Sequence, residues 1–171
     1  MHALVKLFWD IALWRRSPGD LPDSASLVVL TALVYAALSA TQSWMLYGAA
    51  SLVGRTLADL ALLAGPLWLL LAVARRTTRY RQALAALFGT GAILSPFVIL
   101  LLAFKGPAES SHPLALLVWA GSVAVIVWYL FVVGFILRAA LDTGMFMGVA
   151  MALAYVVASA AVLSALFPGS A

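Results

Sequence analysis

RRTTRYRQALAALFGTGAILSP, residues 75–96, joins four arginines to an apolar run that contains two glycines and a proline. Arginines in a short loop between membrane spans hold that loop on the cytoplasmic side. The apolar run that follows the arginines continues to residue 104, which is long enough to cross a bilayer. This stretch therefore predicts both a membrane-spanning helix and the direction in which the protein faces.

The composition excludes an ordinary soluble domain. Of the 171 residues, 65% are hydrophobic and only 9% are charged, against roughly 25% charged residues in an average soluble domain. The formal net charge of +4 comes from basic residues in short loops between apolar runs, which indicates topology and not nucleic-acid binding. The chain has no cysteine, so it can form no disulfide, thiolate metal site or catalytic thiol.

The predicted fold is all-α, a polytopic membrane helix bundle of five transmembrane helices preceded by an amphipathic interfacial helix. Residues 1–24 are predicted to be a cytoplasmic helix and loop, and residues 25–171 a five-helix transmembrane domain. The two arginines at positions 55 and 75 are separated by about 30 Å of helix, one bilayer thickness, so they mark opposite faces. The predicted spans are 25–47, 50–74, 82–104, 114–137 and 143–166.

This topology places the N-terminus in the cytoplasm and the C-terminus in the periplasm of a bacterial inner membrane. Residues 4–14 form an apolar helical face, whereas His2, Lys6 and Asp10 recur on the other side. That helix is too short and too charged to span, and it lacks the features of a cleaved signal peptide. We expect a surface anchor or a partner-docking helix, retained in the protein. The predicted contacts with anionic lipid or a partner are Arg15, Arg16, Arg75, Arg76, Arg79 and Arg81.

Asp59 is the one acidic residue inside a predicted span, and such residues are candidates for function. Arg55 precedes it by four positions and can form an ion pair with it. The alternatives are a structural ion pair and a proton or substrate contact. Ser95 and Pro96 lie in an irregular part of the third span, where a kink and a cavity are expected. The predicted intramembrane site consists of Arg55, Asp59, Ser95 and Pro96.

Gly144, Gly148 and Ala152 form a small-residue stripe in the fifth span, typical of close helix packing within one chain or between copies. We favour packing within the chain. Asp142 is predicted to cap the start of that span. Residues 105–113, KGPAESSHP, are predicted to be a polar loop between the third and fourth spans.

The sequence lacks the sets of catalytic or ligand residues that membrane enzymes use. Six acidic residues and two histidines are present, and the predicted topology scatters both sets over the two faces of the membrane. No pair of intramembrane aspartates, histidine pair for haem or glycine-rich phosphate loop is formed. We therefore predict no enzymatic activity, no catalytic residue, no metal and no cofactor.

The sequence KLFWDIALWRRSPGDLP at residues 6–22 and the third-span sequence RYRQALAALFGTGAILSP at residues 79–96 carry a family resemblance. With five spans and a basic second loop, they resemble bacterial members of the Yip1-type membrane-protein family. The resemblance implies a cytoplasmic N-terminal segment followed by five helices. The eukaryotic relatives of this family act as membrane scaffolds in vesicle traffic. The resemblance supplies no catalytic residue.

These observations favour a non-enzymatic inner-membrane scaffold or accessory protein whose basic cytoplasmic face contacts anionic lipids or a protein partner. The expected partners are membrane lipids and a protein partner or a second copy of the chain, with no nucleic acid. One alternative is a small transporter or channel component that uses Asp59 and the kinked second and third spans. The other is a membrane subunit of a larger envelope complex.

Overall fold

The computed structural model describes residues 2–49, 51–109 and 112–167, with side chains for 3–49, 51–105 and 113–167. Within these residues the chain forms six α-helices and two short 3-10 turns, with no strand, so the all-α fold is confirmed. The turns lie at Pro18–Asp20 and Thr77–Arg79. The helices are α1 His2–Ala12, α2 Ala25–Tyr47, α3 Leu52–Val73, α4 Tyr80–Glu109, α5 His112–Leu141 and α6 Met145–Leu166.

Helices α2 to α6 are long and apolar enough to cross a membrane. The shortest of them has 22 residues, a length of about 33 Å, which matches the hydrocarbon core of a bilayer. Many of their large apolar side chains point outward and are exposed, as in a bundle that lipid surrounds. The chain is a multi-pass membrane protein.

The predicted loop at residues 105–113 is wrong at both ends. Helix α4 continues to Glu109 and α5 begins at His112, whereas residues 110–111 lie outside the described residues. Polar residues predict the end of each helix, but a helix that emerges from the bilayer is free to continue in water. Pro113 has no backbone N–H, and it is tolerated in the first turn of α5 because an N–H at that position would have no acceptor within the helix.

Smaller differences occur at other helix ends. Helix α2 has the bounds predicted for the first span, whereas α3 is slightly shorter than residues 50–74. Helix α4 begins at Tyr80, so Arg81 belongs to the helix and not to the preceding loop. Helix α5 continues past the expected end at residue 137 and stops at Leu141.

Helix α4 is the centre of the bundle, because its residues 83–91 are all buried. Helices α1, α2, α3 and α5 pack around it. Two glycines make this close packing possible. The Phe8 ring of α1 lies against Gly89, and the Tyr35 ring of α2 would lie 2.7 Å from a Cβ at Gly91. The apolar half of the 75–96 stretch is therefore the core of the protein.

Helix α1 packs against this centre by its apolar face. Ile11 and Ala12 are fully buried, and the Trp9 and Trp128 rings meet edge to face at 6.2 Å. The Trp128 Nε1 of α5 donates a hydrogen bond of 2.9 Å to the Ala12 carbonyl. The helix ends at Ala12 and not at residue 14, since Trp14 adopts a left-handed backbone conformation with φ of 59°.

Candidate membrane-surface face and intramembrane polar cluster

One end of the bundle is built by residues 14–24, 74–82 and 138–144, and we call it the arginine-loop face. Hydrogen bonds and ion pairs hold the three segments together, from Gln82 to Gly19 and from Arg79 to Ala139 among others. In the sequence these segments carry seven arginines and three aspartates. The remaining charges of the chain balance, so the whole formal charge of +4 lies on this face.

Three of the four loop arginines form ion pairs with acidic residues of other segments. Arg76 and Arg79 both bind the Asp142 carboxylate, Arg79 through Oδ1 at 2.9 Å. Arg79 also donates to the Ala139 carbonyl at 2.9 Å, and Arg81 lies 3.8 Å from Asp23. These arginines fix the loop to the end of α5 and to the segment before α2, a structural role that the sequence prediction missed.

Asp142 is not the cap of the last span, which corrects the sequence prediction. It follows α5 with a left-handed φ of 51°, and Gly144 occupies the N-cap position of α6. Its partners lie more than 60 positions earlier in the sequence, so no local pattern could indicate them. Aspartate tolerates the left-handed region better than most residues, which suits it to this turn.

Helices α1, α3 and α5 all end on the arginine-loop face, and each end has the same form. Trp14, Arg75 and Asp142 have positive φ, and the next residue donates its N–H to a carbonyl five positions earlier, as in a Schellman motif. The carbonyl ends of three helices thus lie on this face together with the N-termini of α2, α4 and α6, so the helix dipoles largely cancel over the face as a whole.

Arg15, Arg16 and Arg75 are exposed, and within the described residues they form no ion pair. Arg138 lies in the last turn of α5, with its guanidinium 5.9 Å from the Phe135 ring. The six arginines predicted as surface contacts therefore divide into two groups. Three of them hold the fold together, and Arg15, Arg16 and Arg75 are available for an external anion.

A cleft of about 300 Å³ opens on the arginine-loop face between the 17–19 turn and the ends of α4 and α5. Gln82 closes one side by donating to the carbonyls of Leu21 at 2.7 Å and Gly19 at 3.3 Å. Arg79 and Asp142 form the other side and are paired with each other. The polar side chains of this cleft are therefore used in holding the segments together.

A second candidate site lies within the membrane-spanning part and consists of Asp59 and hydroxyl groups around it. Asp59 Oδ2 accepts hydrogen bonds from the Tyr35 hydroxyl and from the Ser39 hydroxyl, each at 2.8 Å. Tyr129 of α5 and Tyr155 of α6 lie within electrostatic range of the carboxylate. We call these five residues the Asp59 cluster.

The structural ion pair predicted between Arg55 and Asp59 is not formed. Among the described residues, the ion pairs all lie on the arginine-loop face. The buried Arg55 guanidinium instead lies 3.6 Å from the Tyr47 ring centre and 4.9 Å from that of Phe167. The prediction missed Tyr35 and Ser39, which are polar residues four positions apart in an apolar span. Residues at this spacing share one helix face, so the sequence could have indicated a polar face on the first span.

Ser95 and Pro96 do not take part in the Asp59 cluster. The buried Ser95 hydroxyl donates to the Gly91 carbonyl of its own helix at 2.9 Å, and Thr90 donates to Ala86 in the same way. Helices α3 and α4 continue through Pro66 and Pro96. An apolar groove of about 270 Å³ lies beside Gly89, Ala92 and Ile93, between α1, α2 and α4.

The small-residue stripe of α6 has two different environments. Gly148 and Ala152 are buried, and Gly148 packs directly on the backbone of α5, where a Cβ would overlap the Gly134 carbonyl oxygen. Gly144 instead precedes the helix, with open space around its Cβ position. Two of the three stripe residues thus serve packing within the chain.

In the described part of the chain, no group of three or more histidine, cysteine, aspartate or glutamate residues is placed to hold a metal ion. The fold and the two sites define a multi-pass membrane helix bundle with a basic face and an intramembrane carboxylate. No family model matches the chain, and comparison finds no similar curated protein or solved structure. The resemblance to the Yip1-type family stays a prediction.

Proposed function

We propose that this chain is a non-enzymatic scaffold or accessory protein of the bacterial inner membrane that binds anionic lipid headgroups on its arginine-loop face. The observation that carries the proposal is that Arg15, Arg16 and Arg75 are exposed and form no ion pair with the described residues. The basic residues of the 75–81 loop favour a cytoplasmic position for this face and for the N-terminus, with the C-terminus in the periplasm. The resemblance to Yip1-type proteins supports a scaffold role.

The strength of the expected lipid attraction follows from the number of exposed arginines. Each basic residue near an anionic membrane surface contributes about 1 kcal/mol. Arg15, Arg16 and Arg75 together contribute about 3 kcal/mol of attraction between this face and an anionic membrane surface. The arginines paired with Asp142 and Asp23 contribute less, because their charge is already balanced within the chain.

Lipid retention during purification tests this proposal. The triple variant Arg15→Gln, Arg16→Gln, Arg75→Gln and the wild type are purified in mild detergent, and the anionic and zwitterionic phospholipid bound to each is measured. We expect the triple variant to lose most of its anionic lipid and to keep its zwitterionic lipid. Lys105→Gln removes a charge at the other end of the bundle and serves as the matched control. Equal anionic lipid on all three proteins would contradict the proposal.

The same purification separates lipid from protein partners. A protein that accompanies the wild type and is lost from the triple variant would make this face a protein-docking surface, and a larger assembly would favour contacts between copies. The orientation is tested by single cysteines, since the chain has none of its own. Thr78→Cys is expected to be protected from an impermeant maleimide in intact spheroplasts, whereas Ala49→Cys is expected to react.

A further inference from the structure

The Asp59 carboxylate lies inside the bundle, away from the charged ends. Asp59 is seven residues beyond Leu52, the first residue of α3, which corresponds to about 10 Å along the helix axis. The residue is partly buried, and its Oδ2 accepts both hydroxyl donors from one stripe of α2. A full charge at this position is costly, because hydrocarbon and protein solvate it poorly.

Titratable or charged groups in the neighbourhood of Asp59 lie on four helices. Tyr35 lies on α2, Arg55 on α3, Tyr129 on α5 and Tyr155 on α6. Arg55 is one turn away, but it forms no salt bridge with Asp59 and stacks on aromatic rings. The Asp59 charge is therefore stabilised mainly by hydroxyl groups, and no cation of the described residues neutralises it at contact distance.

Hydroxyl partners have a property that cationic partners lack. A tyrosine or serine hydroxyl donates one hydrogen bond and also accepts, and its hydrogen rotates to suit the partner. The pair at Tyr35 and Ser39 can donate to an ionised Asp59 and can accept from a protonated one. An arginine or lysine donates only, and it would hold the carboxylate in its ionised form. The cluster is therefore suited to both protonation states.

Tyr129 of α5 and Tyr155 of α6 are partly buried and pack against the core of the bundle. A cavity of about 20 Å³ adjoins Tyr155 between α3, α4, α5 and α6, and its other lining residues are apolar. The hydrogen bonds that Asp59 accepts come from the Tyr35 and Ser39 hydroxyls.

We propose that Asp59 is an intramembrane proton-binding site, with Tyr35 and Ser39 as its positioning residues. A hydronium ion of the aqueous phase gives up one proton, which forms an O–H bond with a carboxylate oxygen and leaves a water molecule; no other bond changes. Hydrogen bonds to an ionised carboxylate are roughly twice as strong as those to a neutral group. Protonation thus weakens the attachment of α3 to α2, and deprotonation restores it. This site is distant in the fold from the arginine-loop face, so either proposal can fail without the other.

The infrared carboxyl band of protein reconstituted in nanodiscs tests this inference. Aspartates are labelled with ¹³C, and difference spectra are recorded across the pH range in which the protein keeps its helical content. We expect an aspartic-acid carbonyl band that titrates in the wild type and is absent from Asp59→Asn. Tyr35→Phe and Ser39→Ala are each expected to displace the midpoint of that band without abolishing it.

Several results would overturn the inference. Identical titrations of the wild type and Asp59→Asn would show that the band belongs to other aspartates. An Asp59 that keeps one protonation state throughout, or a midpoint unmoved by both hydroxyl variants, would leave the cluster a fixed polar contact. A midpoint that depends on sodium or potassium concentration would replace the proton with a metal cation. If Asp59→Asn fails to fold, the two hydroxyl variants still decide the question, because each retains the carboxyl.

Discussion

The contact between α5 and α6 depends on the lack of a side chain at Gly148. A Cβ there would overlap the Gly134 carbonyl oxygen and would lie 3.0 Å from the Arg138 Cβ. Ordinary contacts at a Cβ begin at 3.4 Å. Because both neighbours belong to the body of α5 and cannot rotate away, Gly148→Ala requires the two helices to separate by about 1 Å, an overpacking of the core.

The expected loss of stability combines two opposing terms. Overpacking costs about 1–3 kcal/mol, and overlap with a backbone carbonyl lies at the upper end of that range. Replacing glycine by alanine within a helix returns about 1 kcal/mol. We therefore expect Gly148→Ala to lower the free energy of unfolding by about 2 kcal/mol.

The assay is reversible unfolding of the purified protein in mixed micelles with increasing sodium dodecyl sulfate, followed by helical circular dichroism. Gly65→Ala is the matched control, since Gly65 lies inside α3 and nothing is within 4 Å of its Cβ position. The control keeps the helix-propensity gain without the overlap. A Gly148→Ala protein as stable as Gly65→Ala would refute the predicted close approach of α5 and α6.

Two other substitutions test single contacts of the bundle. Asp142→Asn keeps the side-chain shape and the left-handed turn but removes the charge that two loop arginines share. We expect the free energy of unfolding to fall by about 1 kcal/mol in the same assay, and by less at high salt, because these groups are half-exposed. A decrease that does not change with salt would contradict the ion pairs. Trp128→Phe keeps an aromatic ring but removes the hydrogen bond to the Ala12 carbonyl. Its expected effect is faster proteolysis of the N-terminal segment, with Trp119→Phe, an exposed tryptophan of the same helix, as the unchanged control.

Local features of the sequence were sufficient for the all-helical fold and for the first span. Apolar runs of bilayer length can only be helices here, because backbone groups in hydrocarbon must satisfy one another. Ser24 shows the same local control, since its hydroxyl caps α2 by accepting from the Leu27 N–H. Helix ends outside the bilayer were predicted less well, and residues 105–109 are the main example.

The partners of each polar residue were decided by the tertiary structure. Asp142 resembles a helix cap in sequence, yet its carboxylate binds arginines that are more than 60 positions away. Arg55 and Asp59 are neighbours on one helix, but the first meets aromatic rings and the second meets hydroxyls of α2. Spacing along one helix shows which residues share a face, whereas the helix that packs on that face depends on the whole bundle.

The 75–96 stretch contains both kinds of information. Its composition determined by itself that an arginine loop precedes a membrane helix, because charge and hydrophobicity act on each segment separately. The structure decided that three of the arginines bind aspartates and that the following helix lies at the centre of the bundle. The central position of that helix depends on Phe8 and Tyr35 filling the space beside Gly89 and Gly91. The ion pairs join segments that are distant in sequence, and such contacts arise only when the helices pack.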